Sequence, residues 1–172
     1  LVHIHGHEHD VHRKVTNDWF KPSTVKNLQP AIDQMADEYA DLLIELGGEC
    51  DCAADIAGPF TLRIIMSIFG VPPEDEAIML ELTQGMFGAA DPDLQRKSEA
   101  QTEAERLAEV QQVIADFFGY FHAITESRRA APVGDVASVI ANATVDGQPI
   151  TPFDAISYYV IIATAGHDTT SS

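Results

Sequence analysis

PFDAISYYVIIATAGHDTT, residues 152–170, is the stretch that says most about the fold of this chain. Its first two thirds are apolar on nearly every face, which is typical of a helix in the middle of a protein. Thr151 precedes the stretch and is placed to cap the helix, Pro152 suits the first helical position, and Asp154 completes a Thr-x-x-Asp capping signature. The sequence therefore predicts a buried helix that begins at Pro152.

The last third of the stretch weakens this helix. Gly166 costs about 1 kcal/mol relative to alanine in a helix interior. Thr169 and Thr170 can donate to carbonyls one turn back, which bends and loosens a helix locally, and the acid Asp168 stands beside them. We expect the helix to open here, hold a small ligand and move protons. The alternative is that Gly166 is a packing contact and the Asp-Thr-Thr triplet a helix end.

Length and composition are those of a globular protein and exclude some classes of partner. The chain has 172 residues, of which 45% are hydrophobic and 22% charged, and no apolar run of about 18 residues is free of charge. The net charge of −17 argues against nucleic acid and against an anionic membrane as partners. No signal peptide is recognisable, and we expect a cytoplasmic protein.

Both ends of the sequence look interrupted. It begins at Leu1 rather than at methionine, and it stops at Ser172 while the last helix is still running, without a glycine cap or a basic last turn. We therefore expect residues 1–172 to form a single partial domain, a fragment of a longer chain.

The pattern of apolar residues is helical almost throughout, and strand signals are nearly absent. Helices are predicted over 8–20, from a cap at Ser23 to Gly47, over 53–69, from Pro73 to about Gly88, and from about Gln95 to Arg129. Asp135 can cap a short helix that ends at Ala141, and Asp146–Gly147 forms a turn before the last helix. The predicted fold is mainly α.

The first residues carry a histidine cluster, His3, His5, His7, His9 and His12. Alternating histidines can bind zinc, copper or nickel, and His5, His9 and His12 share a face if the first helix begins early. The zinc motif H-E-x-x-H is not met, so we expect adventitious binding rather than a purposeful metal site. The alternative interpretation of the whole chain is an acidic helical module that binds a metal or a partner through this cluster.

His9 and Arg13 stand four residues apart, so a helix presents them side by side on one face. Two such donors suit anionic oxygens, because an arginine can bind a carboxylate through two parallel hydrogen bonds. The alternative is a helix with ordinary polar residues on its surface.

Basic residues are concentrated in one part of this acidic chain, which we call the basic segment: Arg13, Lys14, Lys21 and Lys26. The segment contains a single acid, Asp18. Such a concentration indicates either a docking surface for an acidic partner or a locally unbalanced solvated face.

Several motifs follow one another in an order that resembles the bacterial cytochrome P450 family, the haem-thiolate monooxygenases. They are Glu8-His9-x-x-x-Arg13, Trp19-Phe20-Lys21-Pro22, Ile68-Phe69-Gly70-Val71-Pro72, Asp146-Gly147-Gln148-Pro149-Ile150 and Ala165-Gly166-His167-Asp168-Thr169-Thr170. The last motif is quite specific, and the others are individually weak. The resemblance covers essentially the whole chain. It implies the N-terminal–central part of the P450 fold, from the family's C helix to a truncation within its I helix.

The resemblance implies a role for each matching residue. His9 and Arg13 match the positions that hydrogen-bond the haem propionates. Ala165–Gly166 matches the stretch that lies over the haem, where small side chains leave room for dioxygen. Asp168 and Thr169 match the catalytic acid–alcohol pair that delivers protons as dioxygen is cleaved, and a hydroxyl that both donates and accepts suits such a relay.

The resemblance also implies a cofactor, a reaction and partners. The cofactor is haem (heme), and one atom of O2 is inserted into a small, mostly apolar substrate. Electrons come from NAD(P)H through a ferredoxin-type protein that docks on the basic segment. Met79, Met86 and Phe87 are candidates for lining the substrate site, and ordinary core packing is an equally open interpretation of them.

One departure from the family concerns the axial ligand of the haem. In the family this is a cysteine in a glycine-containing loop far beyond the I helix. Cys50 and Cys52 precede the motif and lie in no such loop, so we expect reduced, incidental thiols. Glu126-x-x-Arg129 imitates the family's E-x-x-R but also comes too early, and we interpret it as a helical ion pair. The chain alone should then be catalytically inert.

Overall fold

The computed structural model describes residues 4–47, 49–87 and 102–171, with only the helical backbone at 84, 86, 87 and 164–171. Its α-helices are α1 (Gly6–Asn17), α2 (Pro22–Val25), α3 (Gln29–Glu45), α4 (Gly58–Phe69), α5 (Glu76–Phe87), α6 (Glu103–Ala130), α7 (Val136–Ala141) and α8 (Pro152–Ser171). A π-helical segment, Cys52–Ala57, leads into α4, and 3-10 turns cover Lys26–Leu28 and Pro73–Asp75. Two short strands, β1 (Thr144–Val145) and β2 (Gln148–Pro149), pair antiparallel. The prediction of a mainly α fold is confirmed.

The core lies where α4 and α8 pack against each other, with α5, α6 and α7 around them. Phe69 of α4, Phe121 of α6 and Tyr159 of α8 are fully buried. The rings of Phe121 and Tyr159 stack with their centroids 4.5 Å apart, and Phe69 meets each of them edge-on at 5.4 Å. Aromatic clusters of this kind combine a large buried area with a preferred ring geometry. The apolar first part of α8 is therefore a core helix, as predicted.

The start of α8 is capped as its sequence predicts. The Asp154 amide donates to the Thr151 hydroxyl oxygen over 3.1 Å, and that hydroxyl donates to the Asp154 carboxylate over 2.7 Å. From Pro152 the backbone continues as α-helix to Ser171. The predicted opening at Gly166 was therefore wrong. A glycine lowers helix propensity by about 1 kcal/mol but keeps its N–H donor, so it does not break the hydrogen-bond ladder as a proline does.

Helix starts elsewhere differ from prediction where proline is present. The predicted cap, Ser23, lies inside α2, because Pro22 takes the first helical position and Lys21 precedes it without a side-chain cap. The helix predicted over 53–69 is π-helical in its first part, where Asp51 accepts from two amides. Pro59 has no N–H for the carbonyl of Asp55, which favours the wider turn.

Thr102 begins α6 with a reciprocal capping box to Glu105. The helix was predicted from about Gln95, and residues 88–101, which include the predicted loop before it, lie outside the described part of the chain. The predicted short helix α7 is confirmed, with Asp135 as its cap.

Gly70 ends α4 in the left-handed conformation, with φ of +64°. Its carbonyl accepts a 2.8 Å hydrogen bond from Arg128 of α6, whose Nε donates over 2.6 Å to Asp135. The other Asp135 oxygen accepts the Ser138 amide over 2.7 Å and so caps α7. We call this set the Arg128 junction, because one guanidinium joins α4, α6 and α7. The Asp135 side chain is only 7% exposed, and its ion pair with Arg128 is therefore largely buried.

Arg129 holds both ends of the β1–β2 hairpin. Its Nε donates to the carbonyl of Ala141 over 3.1 Å and its Nη2 to the carbonyl of Ile150 over 3.3 Å. The remaining Nη1 pairs with Glu126 at 2.8 Å, which confirms the helical ion pair predicted for these two residues. The hairpin turn at Asp146–Gly147 has φ values of +48° and +77°, as an Asp-Gly turn between paired strands requires.

Within the described residues, one helical span is long and apolar enough to cross a membrane when only length and composition are considered, Cys52–Phe69. The span contains Asp55 and Arg63. Leu62, Ile65 and Phe69 on its inner face belong to the core. We interpret it as the core helix of this fold, because its apolar face is already covered by protein.

All four tyrosines of the chain have a raised phenol pKa, and burial is the main cause in each case. For Tyr120 the carboxylate of Asp75, which accepts a 2.6 Å hydrogen bond from the phenol, raises the pKa further.

An alkaline titration tests this property. We expect less tyrosinate absorbance from the folded chain at pH 10 than from an unfolded chain, in which tyrosine is about half ionised. Above that pH the unfolded state binds fewer protons than the folded state, so the free energy of unfolding falls as pH rises. Tyrosinate absorbance should therefore appear together with the loss of helical circular dichroism. A tyrosine that ionises near pH 10 in a fully helical chain would contradict the expectation, and the denatured chain is the control.

Candidate functional site

The two faces of α1 have different environments. On the inner face His12 is buried, and Trp19 beyond the end of the helix donates its indole N–H to the carbonyl of Gly134 over 3.2 Å. This face packs against α7 and β1. His9 and Arg13 are exposed. The helix is therefore fixed on one side and presents polar groups on the other.

His9 and Arg13 lie one helical turn apart on the exposed part of α1, as their spacing predicts. The His9 ring is about half exposed and lies 3.5 Å from the carboxylate of Asp10. Arg13 forms no ion pair or hydrogen bond with any residue that the structure describes. Arg13 thus has no partner among the described residues, His9 has a neighbouring carboxylate of its own helix, and the role of both at haem propionates stays a prediction.

The inner face of α1 is joined to α8 by one pair of side chains. The phenol of Tyr158 donates to the backbone carbonyl of His12 and lies 3.3 Å from Nδ1 of the same residue. Both side chains are buried, and burial raises the pKa of the phenol above its ordinary value, with a smaller contribution from Asp154. The phenol therefore stays protonated and keeps its hydrogen to donate.

The motif of α8 follows this contact along the same helix. At 1.5 Å per residue, Gly166 lies about 12 Å beyond Tyr158 on the helix axis. Ala165–Gly166, Asp168 and Thr169 belong to the backbone of α8. Their side chains lie outside the described part of the structure, so the roles that we assign to them stay predictions.

The four cations of the basic segment are exposed. Lys21 pairs with Asp18 at 2.5 Å. Among the described residues, Arg13, Lys14 and Lys26 have no acidic partner within ion-pair distance. The single acid of the segment therefore neutralises one of its four cations, and the segment remains positive at the surface of an acidic protein.

The histidine cluster does not form a metal site in the described part of the chain, where no three His, Cys, Asp or Glu side chains converge. His5 precedes α1, and within α1 His12 is buried whereas His9 is exposed, so these three side chains do not converge on a metal site. His7 lies 3.4 Å from Asp146 of the hairpin instead, and His3 lies outside the described residues. Cys50 and Cys52 are exposed free thiols.

The three residues predicted to line a substrate site are placed only in part. Met79 is fully buried in the core, where the hydroxyl of Thr83 donates to its carbonyl over 2.7 Å. The side chains of Met86 and Phe87 lie outside the described part of the structure. For Met79 the core contacts agree with the alternative of ordinary packing, and a substrate contact remains a proposal.

One open groove of about 280 Å³ lies between α3, α4 and α5 and contains none of these three residues. Arg63 pairs there with Glu38 at 2.8 Å and with Glu76 at 3.6 Å, and it stands over the ring of Tyr39. Hydrogen bonds from Gln34 and Arg63 lower the pKa of Glu38. Arg63 thus pairs with Glu38 and Glu76, two of the three carboxylates that line this groove, and we assign the groove no ligand.

His12 and Tyr158 are the residues whose pairing sequence reasoning missed. A usable signal was present, because His12, Val15 and Trp19 follow the i, i+3, i+7 spacing of a buried helical stripe. A histidine in such a stripe needs a buried hydrogen-bond partner. The sequence does not say that this partner is a tyrosine 146 residues further on.

Curated relatives of this chain are cytochromes P450, although no family model matches it. The chain is 40% identical over 165 residues to the cytochrome P450-terp of a Pseudomonas species, which covers 95% of this chain and 39% of the relative. It is 26% identical over 162 residues to the linalool 8-monooxygenase of Pseudomonas putida. The chain spans about two fifths of the length of the curated relatives that it matches.

Solved structures of cytochromes P450 share the fold. A structure from Novosphingobium aromaticivorans matches 99% of this chain with 38% of its own length, at a TM-score of 0.83 and 40% identity. A Mycobacterium marinum cytochrome P450 in complex with pseudoionone matches 98% of the chain with 39% of its own length, at a TM-score of 0.85 and 25% identity. The helices described above therefore correspond to one continuous part of these proteins.

Proposed function

We propose that this chain, which is similar to cytochromes P450 in sequence and in fold, is part of a haem-dependent monooxygenase. The complete protein inserts one atom of O2 into a small, mostly apolar molecule. Support for the substrate class comes from relatives named for linalool and for methyl-branched lipids. Electrons are supplied by NAD(P)H through a separate redox protein. The cysteine that ligates the iron belongs to a part of the protein outside residues 1–172.

The arrangement of α1 and α8 is the observation that carries this proposal. The donors His9 and Arg13 occupy one exposed turn of α1, and the neighbouring His12 fixes that helix to α8. The A-G-x-D-T-T sequence follows about two turns further along α8. Haem has two carboxylate side chains, and a histidine with an arginine is a donor set that fits carboxylates. When bound, haem supplies the activation of dioxygen.

Each of the proposed site residues then has a defined role. His9 and Arg13 bind and orient the propionates from α1. Ala165–Gly166 keeps the adjacent surface of α8 free of bulk. The hydroxyl of Thr169 accepts a proton and donates another toward the reacting oxygen, and Asp168 passes protons from solvent to it.

The basic segment is the surface that we assign to the redox partner. Three of its cations have no acidic neighbour among the described residues, so they remain available for the carboxylates of an acidic ferredoxin. Pairing across such a surface raises the association rate and weakens with salt. A cytoplasmic location fits a partner of this kind.

The full-length protein provides the test of the function. It should be purified with bound haem, and its reduced carbon monoxide complex should show the absorption of a thiolate-ligated haem. The double variant His9→Gln/Arg13→Gln should retain less haem, whereas Lys14→Gln, in the adjacent position, should retain as much as the wild type. A full-length protein that neither contains nor takes up haem would refute the proposal.

Replacing Thr169 by alanine in the full-length protein should leave haem binding intact and divert reducing equivalents from product to hydrogen peroxide. The expected loss of coupling is on the order of tenfold or more, because a positioned proton donor contributes about 10²–10⁴ in rate. The measurement compares NAD(P)H consumed, peroxide formed and product formed. Thr169→Ser keeps the hydroxyl and is the matched control. Unchanged coupling in Thr169→Ala would remove the relay role from this residue.

A further inference from the structure

His12 and Tyr158 are a buried polar pair at the contact between α1 and α8. We propose that this pair is a positioning device, which fixes the helix that carries His9 and Arg13 relative to the helix that carries the A-G-x-D-T-T sequence. The inference rests on the proposed haem function. It assigns a role to two residues that do not belong to the motifs from which that function was inferred.

The hydrogen bonds of the pair hold both the backbone and the side chain of α1. Tyr158 donates to the carbonyl of His12, a group in the middle of α1, and its oxygen lies 3.3 Å from the His12 ring nitrogen Nδ1. A phenol has one hydrogen, so Nδ1 donates to the phenol oxygen when the ring carries its hydrogen there. In that tautomer, two bonds to one residue fix both the depth and the rotation of α1 on α8.

The pair lies where a displacement of α1 would have the largest effect on His9 and Arg13, the proposed hydrogen-bond donors to the propionates. His12 is adjacent to Arg13 in sequence and one turn after His9. A helix that rotates or slides at His12 therefore carries both donors with it. Tyr158 lies in the core part of α8, where Ile156, Tyr159 and Ala163 are also buried. The pair thus fixes the exposed turn of α1 relative to the core.

Energetics favour a single arrangement of this contact. A buried donor or acceptor that loses its partner keeps its full desolvation penalty, which exceeds the net gain from making the bond. Arrangements of α1 that separate the phenol from His12 would leave polar groups of both residues buried and unpaired. An apolar contact at this position would tolerate small shifts, whereas the polar pair penalises them.

The test compares two adjacent tyrosines in the full-length protein. Tyr158→Phe removes the hydroxyl that contacts His12. Tyr159→Phe is the matched control, because Tyr159 is also buried in α8 and shares a 3.1 Å hydrogen bond with Thr125, on the core side. Both variants lose one buried hydroxyl from the same helix. They differ in that only the first contacts α1.

Two readouts separate positioning from general stability. Haem loss to an excess of an apo-haem protein should be about tenfold faster in Tyr158→Phe, and within about twofold of wild type in Tyr159→Phe, since an unsatisfied buried group carries a penalty of this size. Hydrogen exchange of peptides that cover residues 6–17 should accelerate only in Tyr158→Phe. The conservative variant His12→Gln keeps a side-chain donor and should lose haem slowly. His12→Leu has no such donor and should lose haem faster.

The outcomes distinguish the inference from the proposed function. Equal haem loss and equal exchange in Tyr158→Phe and Tyr159→Phe would overturn the positioning role while leaving the haem function intact. Equal haem loss in His12→Gln and His12→Leu would overturn it as well. A wild-type protein that binds no haem would overturn the proposed function and, with it, the positioning of propionate donors, even if exchange in α1 still depended on Tyr158.

Discussion

Gly70→Ala is expected to lower the free energy of unfolding of this chain by about 3–5 kcal/mol. A Cβ built on Gly70 would lie 2.1 Å from a carboxylate oxygen of Asp135 and 2.8 Å from Nη2 of Arg128. Neither atom can yield at low cost, because both belong to the Arg128 junction. The positive φ of Gly70 adds about 1–2 kcal/mol for any residue with a Cβ. The methyl group therefore separates a buried ion pair in addition to straining the backbone.

Urea denaturation measures this effect, and Gly119→Ala is the matched control. Gly119 lies within α6, on its exposed surface, and its added Cβ would meet no atom within 4 Å. Alanine there should stabilise the chain by up to about 1 kcal/mol, because it replaces glycine in a helix interior. A loss below about 1 kcal/mol in Gly70→Ala would show that the junction rearranges without cost.

Phe121→Ala is expected to destabilise the chain by about 3–5 kcal/mol. Phe121 is fully buried at the centre of the core. Its ring centroid lies 4.6 Å from that of Phe117 and 4.5 Å from that of Tyr159, and it also contacts the rings of Phe69 and Tyr120. Removal of the ring leaves a cavity between α4, α6 and α8 that surrounding side chains fill only in part.

Phe153→Ala is the control for the loss of a phenylalanine ring as such. Phe153 is 66% exposed in the first turn of α8, and its replacement should change the free energy of unfolding by no more than about 0.5 kcal/mol. Equal effects at the two positions, measured by urea denaturation, would contradict the core that we describe.

Local signals in the sequence predicted most of the secondary structure, because they act within a few residues. The caps at Thr151 and Asp135 and the glycine end of α4 were all predictable from short-range chemistry. Where two local signals compete, one must win, and Pro22 displaced the cap expected at Ser23. At Gly166 the local signal was too weak to decide the structure, since a weak helix former does not stop a helix that keeps its hydrogen bonds.

Pairings between distant residues were not predictable, because no local rule selects the partner. Arg128 bonds the carbonyl of Gly70 across 58 residues, and Tyr158 bonds His12 across 146. The candidate site shows the same division. The spacing of His9 and Arg13 predicts a shared helical face, and α1 provides it. The link between α1 and α8, which lies at the buried His12, became visible only in the folded chain.

Two hydrogen bonds from Arg129 to backbone carbonyls make the position of α8 independent of the length of the hairpin. One guanidinium donates to the carbonyls of Ala141 and Ile150, which lie on either side of the hairpin. The position at which α8 begins is therefore fixed by bonds outside the hairpin. The tip at Asp146–Gly147 is exposed, and the His7 ring lies 3.4 Å from the carboxylate of Asp146. Residues inserted at that tip extend a loop into solvent, while the core and the motif of α8 keep their places.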